Sequence, residues 1–363
     1  MKKIKIMCVI GTRPNFMKIA PLLRALKNYP KFRPILVHTG QHYDYKMSGV
    51  FFKDLNIPRP DYNLGIRAGL HGEQTGRTMI EFEKVCLKEK PDLVIVVGDV
   101  NATLASALVA AKLHTPVAHI EAGLRSFDRT MPEEINRLLI DQIADYLFVT
   151  EPSALKNLIK EGIPRKKIFY VGNIMIDTLK NQKYKAKILK QFNLKPKQYA
   201  VLTLHRPENV DNKKILENLL NIFDEVQKKI KIIYPVHPRA EKQLKKNGLT
   251  RFINQMRNFE IIHPIGYLEN LALMSHSKFV MTDSGGVQEE TTVLKIPCLT
   301  LRQNTERPIT VTQGTNVIVG RNKNKILKEV NKILAGRTRR SKIPKYWDGH
   351  VARRIVKILC PKK

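Results

Sequence analysis

The hydrophobic positions of the chain follow two alternating patterns. Short runs rich in Val, Ile and Leu, bounded by glycine or polar residues, predict buried strands. Longer stretches lie between them with apolar residues three or four positions apart, as at Phe16, Ile19, Leu22, Leu23 and Leu26, and this spacing predicts helices. Strands that alternate with helices are typical of a parallel sheet covered by helices. The chain is therefore predicted to have an α/β fold.

The predicted strands fall into two sets of six, which indicates two domains. Residues 180–197 separate the sets; this stretch is polar, rich in lysine and ends near a proline, so the connection is placed there or just before it. We predict two Rossmann-like parallel-sheet domains, residues 1–172 and residues 173–347. Residues 53–76 are predicted to be an irregular surface segment because they contain two prolines and several glycines. The strands are predicted at residues 4–10, 35–38, 93–97, 116–120, 146–149 and 168–171, then at 200–204, 231–236, 260–263, 279–282, 298–301 and 317–319.

Three carboxylates are predicted at one edge of the first sheet. Asp99 follows the strand at 93–97 and Glu121 follows the strand at 116–120, and parallel strands end at the same edge, where ligands of such sheets bind. Glu133 lies after Pro132, in the first turn of a predicted helix. Each acid also has a structural interpretation: Asp99 and Glu121 as loop caps, and Glu133 as an acid that complements the helix dipole or pairs with Arg137. Together they favour acid/base chemistry.

Cations and glycines are predicted at the corresponding edges of both sheets. Arg13 and Lys18 follow the first strand at the start of a helix, where backbone N–H groups favour an anion, although a loop arginine and a solvated lysine are equally common. In the second half, Gly285 and Gly286 follow a strand and open a helix, with Arg307 farther along. A diphosphate would match these charges.

Composition narrows the possible partners. The chain has 363 residues with 64 Lys and Arg against 32 Asp and Glu, a formal net charge of +32. This charge suits a nucleic acid, a membrane surface or a small anion, but it is scattered over helix faces without a nucleic-acid-binding motif. No apolar stretch approaches the ~20 residues of a membrane-spanning helix. The sequence therefore favours a small anionic ligand, with neither nucleic acid nor membrane as a partner.

The cysteines favour a reducing compartment. Cys8, Cys86, Cys298 and Cys360 are far apart and form no metal-binding or redox pattern. We expect reduced thiols, no metal site and a cytoplasmic protein.

Nine motifs are spread along the chain: GTRPNFMK, TGQHYD, GDVNAT, HIEAGLR, MPEEINR, LTLHRPEN, PVHPR, DSGGVQEE and LRQNTERP. Together they resemble one enzyme family, the non-hydrolysing UDP-N-acetylglucosamine 2-epimerases, over nearly the whole chain. The resemblance implies the two-domain GT-B fold, with the sugar on the first domain, the nucleotide on the second and a cleft between them. It also implies that the final helix, within residues 348–363, joins the first domain. A homodimer in the cytoplasm that serves polysaccharide biosynthesis, with no cofactor, would be usual for this family.

The resemblance implies a reaction in which UDP-GlcNAc and UDP-ManNAc are interconverted by elimination of UDP to a glycal and its re-addition. It assigns acid/base roles to Asp99, Glu121 and Glu133, with His205 near the diphosphate and sugar. Glu290 is assigned to the ribose. The substrate-binding residues that it implies are Arg13, Lys18, Arg137, His237, Ser284, Gly285, Gly286, Glu290 and Arg307.

Some positions depart from the bacterial pattern. Many bacterial members have other residues in place of Asn15, Pro207 and Ile309, and Asn270 stands where an aromatic residue is expected near the uracil. Relatives with similar changes act on other UDP-sugars, including diacetamido uronates. In the glutamine-rich helix start that forms the bacterial allosteric site, this chain keeps Gln41 but continues HYDYK.

Three further functions remain as alternatives. A GT-B glycosyltransferase shares the fold, but it would transfer the sugar to an acceptor and would not need a third carboxylate. A hydrolysing epimerase would release free UDP and ManNAc. A nucleic-acid binder is suggested by the net charge alone, and its binding would weaken steeply with salt.

Overall fold

The computed structural model describes residues 3–40, 52, 54–67, 69–181 and 187–360, with Arg13 described by its backbone alone. The motif residues from Gln41 to Asp44 lie outside the described residues. The strands are β1 (Ile4–Ile10), β2 (Phe32–His38), β3 (Tyr62–Asn63), β4 (Leu93–Val97), β5 (Val117–Ala122), β6 (Tyr146–Val149), β7 (Ile168–Tyr170), β8 (Tyr199–Thr203), β9 (Lys231–Pro235), β10 (Phe259–Ile262), β11 (Phe279–Thr282), β12 (Cys298–Thr300) and β13 (Asn316–Ile318).

Helices connect most of these strands, and a short 3₁₀ helix at Arg165–Lys167 precedes β7. The α-helices are α1 (Arg13–Lys27), α2 (His71–Glu89), α3 (Asn101–Lys112), α4 (Pro132–Ile143), α5 (Pro152–Lys160), α6 (Met175–Lys180), α7 (Lys187–Gln191), α8 (Pro207–Val210), α9 (Lys213–Gln227), α10 (Pro238–Lys246), α11 (Thr250–Asn254), α12 (Tyr267–His276), α13 (Gly285–Leu294), α14 (Pro308–Thr312), α15 (Lys323–Leu334) and α16 (Val351–Leu359).

Two parallel sheets organise the described residues. The first has seven strands in the order β3-β2-β1-β4-β5-β6-β7, and the second has six in the order β10-β9-β8-β11-β12-β13. The predicted α/β fold with two Rossmann-like sheets is confirmed. In each sheet the chain order reverses next to the first strand, between β1 and β4 and between β8 and β11. Ligands of doubly wound sheets bind outside the carboxyl ends of the strands at such points.

The chain divides into two compact units, Met1–Asn181 with Lys345–Lys363, and Gln182–Pro344. The predicted boundary after residue 172 precedes the observed one because α6 packs with the first unit. There the Thr178 hydroxyl donates to the carbonyl of Met17 in α1. The Asp177 carboxylate accepts the N–H groups of Val351 and Ala352, at 3.0 and 2.8 Å, and so caps α16 in the same unit.

Each unit has its own hydrophobic core beside its sheet. Val94, Val96 and Leu147 are fully buried in the first core, and Leu202 and Phe279 are fully buried in the second. In the part of the chain that the structure describes, no helix is long and apolar enough to cross a membrane.

The strand predictions match within one or two residues except at the start of β2, which begins three residues before its predicted start. Strand β3 was not predicted, because its two residues are too short to give a periodic pattern. The irregular segment predicted at 53–76 was wrong at its end, since α2 begins at His71 and contains Gly72 and Gly76. A Cβ at either helical glycine would meet open space, so packing does not require glycine at these positions.

Candidate active site

Glu121 occupies a strained backbone position at the end of β5. The pairing of β5 with β6 shifts register between Ile120 and Ala122, as at a β-bulge, and Glu121 has a φ of 74°. A left-handed φ is uncommon for a residue other than glycine and carries a conformational cost of about 1–3 kcal/mol. Glu121 was predicted just beyond the strand, but it belongs to the bulged end of it. Such bulges re-aim side chains, and they are common beside active sites.

A buried ion pair joins Glu121 to α1. The Lys18 ammonium bonds to Oε2 of Glu121, and both side chains are almost fully buried. The other carboxylate oxygen, Oε1, is buried and has no hydrogen-bond partner among the described residues. Gly98, with a φ of 71°, lies beside the pair: a Cβ there would be 3.4 Å from the Lys18 ammonium and 3.7 Å from Oε2 of Glu121. The structure therefore brings together α1, the residue after β4 and the end of β5.

Asn15 holds the first of these loops in shape. Its side-chain oxygen accepts the N–H groups of Gly11 and Thr12, at 3.2 and 2.9 Å, and the Thr12 hydroxyl at 3.0 Å. Its amide nitrogen donates to the carbonyl of Val97, 2.9 Å away at the end of β4. The Asn15 side chain thus links the β1 and β4 loops.

Asp99 is held by Arg137 from α4. The guanidinium donates from Nε and Nη2 to Oδ2 of Asp99 at 2.9 and 2.6 Å, and from Nη1 to Glu134 at 2.7 Å. The Arg137 side chain is only 2% exposed, whereas that of Asp99 is 26% exposed. Asn136 adds a bond to the Asp99 carbonyl at 2.8 Å. Arg137, predicted to bind substrate, therefore lies between two carboxylates.

Glu134 has a defined structural contact besides its place in the first turn of α4. Its carboxylate accepts the N–H groups of Ser126 and Phe127, at 2.9 and 3.0 Å, as well as the Arg137 bond. Its neighbour Glu133 is half-buried in the same turn. The turn that carries Glu133 is therefore fixed to the loop after β5 and, through Arg137, to Asp99.

His119 was not predicted, and it supports the Asp99 loop from within β5. Its fully buried ring contacts Oδ1 of Asp141 through Nδ1 at 2.7 Å and the carbonyl of Gly98 through Nε2 at 2.8 Å. The His119 ring thus links Asp141 in α4 to the Gly98 carbonyl at the end of β4. Burial raises the pKa of Asp141, but His119 and Arg125 lower it more, and the net pKa lies below its ordinary value.

In the second unit, His205 follows β8 and pairs with Asp283, which follows β11. Nδ1 of His205 lies 2.9 Å from Oδ1 of Asp283, and the histidine side chain is 35% exposed. Asp283 also accepts the N–H groups of His205 and Arg206, at 3.0 and 2.9 Å, and the Asn209 amide at 3.1 Å. Burial raises the pKa of Asp283, but His205 and these donors lower it below its ordinary value. A His205 that donates from Nδ1 leaves Nε2 for proton transfer.

His237 lies beside His205, with ring centroids 5.4 Å apart. It caps α10, where its Nδ1 accepts the N–H of Arg239 at 3.2 Å. The structure thus brings together His205 and His237, the two histidines that the family resemblance assigned to the site.

The glycine loop after β11 closely contacts an arginine. A Cβ on Gly285 would lie 2.8 Å from Nη1 of Arg307 and 3.1 Å from Oε1 of Glu306, so this approach requires glycine. Arg307 donates from Nε to Glu289 at 2.5 Å and pairs with Glu306 at 3.0 Å. Glu306 also pairs with Arg302 at 2.8 Å. Ser284 is the N-cap residue of α13, so the helix start and the Arg307 guanidinium are adjacent.

Glu290 is buried in the second turn of α13. Burial raises its pKa to about 8, with a further increase from Glu289 and a decrease from the Tyr267 hydroxyl. This carboxyl group is therefore mostly protonated at neutral pH, when it is able both to donate and to accept a hydrogen bond.

The remaining predicted residues are placed as follows. Arg13 is the first residue of α1, and Gly286 lies in the first turn of α13. Within the described ranges, no group of three or more His, Cys, Asp or Glu residues is arranged to hold a metal ion. Asp283 immediately follows a predicted strand and so carried a signal in the sequence. The other supporting residues, which sequence reasoning missed, are His119, Asp141, Glu289 and Glu306.

Comparison with known proteins identifies similar chains over nearly the full length. The model of the family described as UDP-N-acetylglucosamine 2-epimerase matches residues 24–360. A UDP-N-acetylglucosamine 2-epimerase of Methanocaldococcus jannaschii is 49% identical over 98% of this chain and 99% of its own. A UDP-2,3-diacetamido-2,3-dideoxy-D-glucuronate 2-epimerase of Pseudomonas aeruginosa is 42% identical over 98% of this chain and 99% of its own.

A solved structure of an enzyme with the same name is also similar to this chain. The crystal structure of the Methanocaldococcus jannaschii UDP-GlcNAc 2-epimerase in complex with UDP-GlcNAc and UDP has a TM-score of 0.90 and 47% sequence identity. The match covers 98% of this chain and 99% of that chain. The two-sheet fold is therefore of the GT-B type found in such enzymes.

Proposed function

The chain belongs to the UDP-N-acetylglucosamine 2-epimerase family, and from this premise we propose that it interconverts UDP-GlcNAc and UDP-ManNAc without hydrolysing them. The relative from Methanocaldococcus jannaschii supports this substrate, since its structure is described as a complex with UDP-GlcNAc and UDP.

The proposed reaction is an elimination followed by an addition. A base removes the proton from carbon 2, the electron pair of that bond forms the double bond between carbons 1 and 2, and the bond from carbon 1 to the diphosphate oxygen breaks. The products are a glycal and UDP. In the second step an acid returns a proton to the opposite face of carbon 2 while a diphosphate oxygen of UDP bonds to carbon 1. This route needs acid/base groups and a site that stabilises the departing diphosphate.

Glu121 carries the proposal. A carboxylate at a strained bulge, with one oxygen on Lys18 and the other buried without a partner among the described residues, is suited to accept or return a substrate proton. Asp99 and Glu133 are the other acid/base candidates of this edge. Arg137 orients Asp99 through two hydrogen bonds, which supports a role in preparing the carboxylate for the substrate.

The second unit supplies the proposed UDP site. The start of α13 at Ser284 and Gly285, together with Arg307, favours the diphosphate. The protonated Glu290 is suited to a ribose hydroxyl, and His205, oriented by Asp283, is suited to share the proton transfers. Arg13, Lys18, His237 and Gly286 complete the proposed substrate-binding set.

A modified substrate is the second candidate. The Pseudomonas aeruginosa relative is named for a diacetamido uronate, and it is 42% identical to this chain. Its reaction would be the same inversion at carbon 2 on a sugar with a carboxylate and a second acetamido group.

The test is to incubate the purified protein separately with UDP-GlcNAc and with the diacetamido uronate and to identify the products by NMR. We expect UDP-ManNAc from the first, at a rate that exceeds conversion of the second. Faster conversion of the uronate would identify the uronate as the substrate in place of UDP-GlcNAc. Accumulation of free UDP without acceptor would indicate a hydrolysing epimerase. Net transfer to an acceptor, with Glu133→Gln nearly silent, would instead indicate a glycosyltransferase.

A further inference from the structure

A cavity of about 470 Å³ opens at the amino-terminal edge of the second sheet. Lys278, Pro297 and Thr315 line it, and they immediately precede β11, β12 and β13. The proposed UDP site lies at the carboxyl ends of these strands. A strand of four residues spans about 13 Å, so the cavity and the UDP site are separate.

The cavity is strongly cationic. Five cationic side chains line it against one carboxylate, Glu329, which itself pairs with Lys332 at 2.7 Å. Helices α12, α13 and α15 end near this edge, and each contributes about half a negative charge at its C-terminus. These partial charges offset fewer than two of the cations. The cationic residues are Lys197, Lys278, Lys295, Arg337 and Arg339.

Two of these cations are anchored by backbone carbonyls. Lys197 donates to the carbonyls of Ser275 and Ser277, at 3.4 and 3.0 Å, and Arg339 donates to the carbonyl of Thr312 at 3.1 Å. Burial lowers the pKa of Lys197, and repulsion from Lys278 lowers it further. A bound anion would relieve this repulsion.

The other three cations are available to a ligand. Among the described residues, no carboxylate or carbonyl pairs with the side chains of Lys278, Lys295 or Arg337. An anion in the cavity would therefore not have to displace an existing partner from these three side chains.

The wall of the cavity carries an unsatisfied hydroxyl. Thr315 is only 8% exposed, and its Oγ1 has no hydrogen-bond partner among the described residues. A buried hydroxyl without a partner costs free energy, and a ligand oxygen would satisfy it. Leu299 and Ile333, both buried, form an apolar part of the lining with Pro297 and Val317. The lining thus combines cations, a hydroxyl and an apolar surface, in a volume typical of small-molecule sites.

We propose that this cavity binds a small organic phosphate, with its phosphate groups on Lys278, Lys295 and Arg337 and its organic part on the apolar lining. The Thr315 hydroxyl bonds to an oxygen of the ligand. The site is independent of the proposed reaction and is distinct from the UDP site.

The experiment is a calorimetric titration with ATP, and separately with inorganic triphosphate, in the presence of saturating UDP. The titration is repeated with the Arg307→Ala variant. This variant disrupts any phosphate site in the α13 loop, so ATP binding at that loop is excluded even if UDP does not occupy it. We expect one molecule of ATP to bind in both proteins, and to bind at least fivefold tighter than triphosphate. The double variant Lys278→Ala/Arg337→Ala should weaken ATP binding at least tenfold, and Thr315→Val should weaken it about threefold.

The matched control is Lys245→Ala/Arg251→Ala, which removes the same charge from exposed positions outside the cavity. We expect less than a twofold effect on ATP binding. Absence of saturable ATP binding in the presence of saturating UDP would overturn the proposal. Equal weakening of ATP binding by the control variant would also overturn it. Equal affinity for ATP and triphosphate would overturn the role of the apolar lining.

Discussion

Asp99 and Asp283 occupy equivalent places in the two sheets but differ in environment. Each follows the strand next to the chain reversal, β4 in the first sheet and β11 in the second. The side chain of Asp99 is 26% exposed and paired with Arg137, whereas Asp283 is fully buried and bonded to His205 and backbone N–H groups. The same topology thus leaves one carboxylate partly exposed at the sheet edge and uses the other to fix a histidine. Position at the sheet edge does not by itself make an acid reactive. The exposure of its side chain and its hydrogen-bond partners determine whether it is able to react.

The two edges also differ in charge. In the first unit Lys18 and Arg137 pair with the acids Glu121, Asp99 and Glu134, so carboxylates are in excess. The buried network around the glycine loop has the reverse balance: Arg206, Arg302 and Arg307 exceed the acids Glu289 and Glu306. An edge rich in carboxylates suits proton transfer, and an edge rich in cations suits a diphosphate.

The largest expected effect comes from Glu121→Gln. The amide keeps the size of the side chain but does not accept the proton, so kcat should fall about 10³-fold, within the range of general acid–base catalysis. Steady-state assays with UDP-GlcNAc measure it. Glu81→Gln, at a partly exposed position paired with Lys84, is the control and should retain full activity. A Glu121→Gln enzyme with more than a tenth of normal kcat would remove Glu121 from the chemistry.

Comparing Asp283→Asn with Asp99→Asn tests the difference between the two aspartates directly. The buried Asp283 carboxylate accepts hydrogen bonds from the His205 ring and from backbone N–H groups, and an amide in its place cannot accept all of them. Asp283→Asn should therefore lower the free energy of unfolding by about 3 kcal/mol. Asp99→Asn should lower the free energy of unfolding by less than about 1 kcal/mol, because Arg137 keeps its ion pair with Glu134. It should nevertheless reduce kcat more than Asp283→Asn does. Urea unfolding and kcat of both variants measure this. Equal losses of stability would contradict the assigned roles.

Arg307→Ala should weaken UDP binding about 100-fold, equivalent to about 2.7 kcal/mol. The physical reason is the loss of a charge-assisted contact beside the α13 start. Calorimetric titration with UDP measures the effect, and the exposed Arg251→Ala is the control. If both variants bind UDP alike, the diphosphate does not contact Arg307.

The last effect, the pH dependence of stability due to Glu290, is small at any one pH step and accumulates gradually. Its pKa is raised from 4.5 to about 8, so between these values the folded chain holds a proton that the unfolded chain has lost. This contribution makes stability fall as pH rises through that window, by at most about 1.4 kcal/mol per pH unit. Glu290→Gln should remove it, so its melting temperature should exceed the wild-type value increasingly from pH 5 to 8. Parallel curves would contradict the raised pKa.

The sequence was sufficient to predict most strands of the two sheets and the strand ends that carry the candidate functional residues. Runs of β-branched and aromatic residues are a direct signal, which is why β4, β6 and β11 match their predicted bounds. The two-residue β3 and the start of α2 after a proline-rich segment gave no such signal.

The supporting contacts of the site were beyond sequence reasoning. A left-handed φ at Glu121 contradicts the local preference of glutamate, so the surrounding fold must impose it. His119 lies within an apolar strand and Asp141 within a helix 22 residues later, and only the packed structure brings them together. Glu134 matched an ordinary helix-start acid, although it also binds the loop after β5 and Arg137.

The most direct test of the proposed reaction is proton exchange at carbon 2. UDP-GlcNAc is incubated with the wild-type protein in heavy water, and the recovered UDP-sugars are examined by NMR and mass spectrometry. Elimination and re-addition through acid/base carboxylates predict one deuterium at carbon 2 of UDP-ManNAc, with the exchange lost in Glu121→Gln. Conversion to UDP-ManNAc with no deuterium at carbon 2 would contradict the mechanism, and absence of both conversion and exchange with every UDP-HexNAc tested would contradict the function.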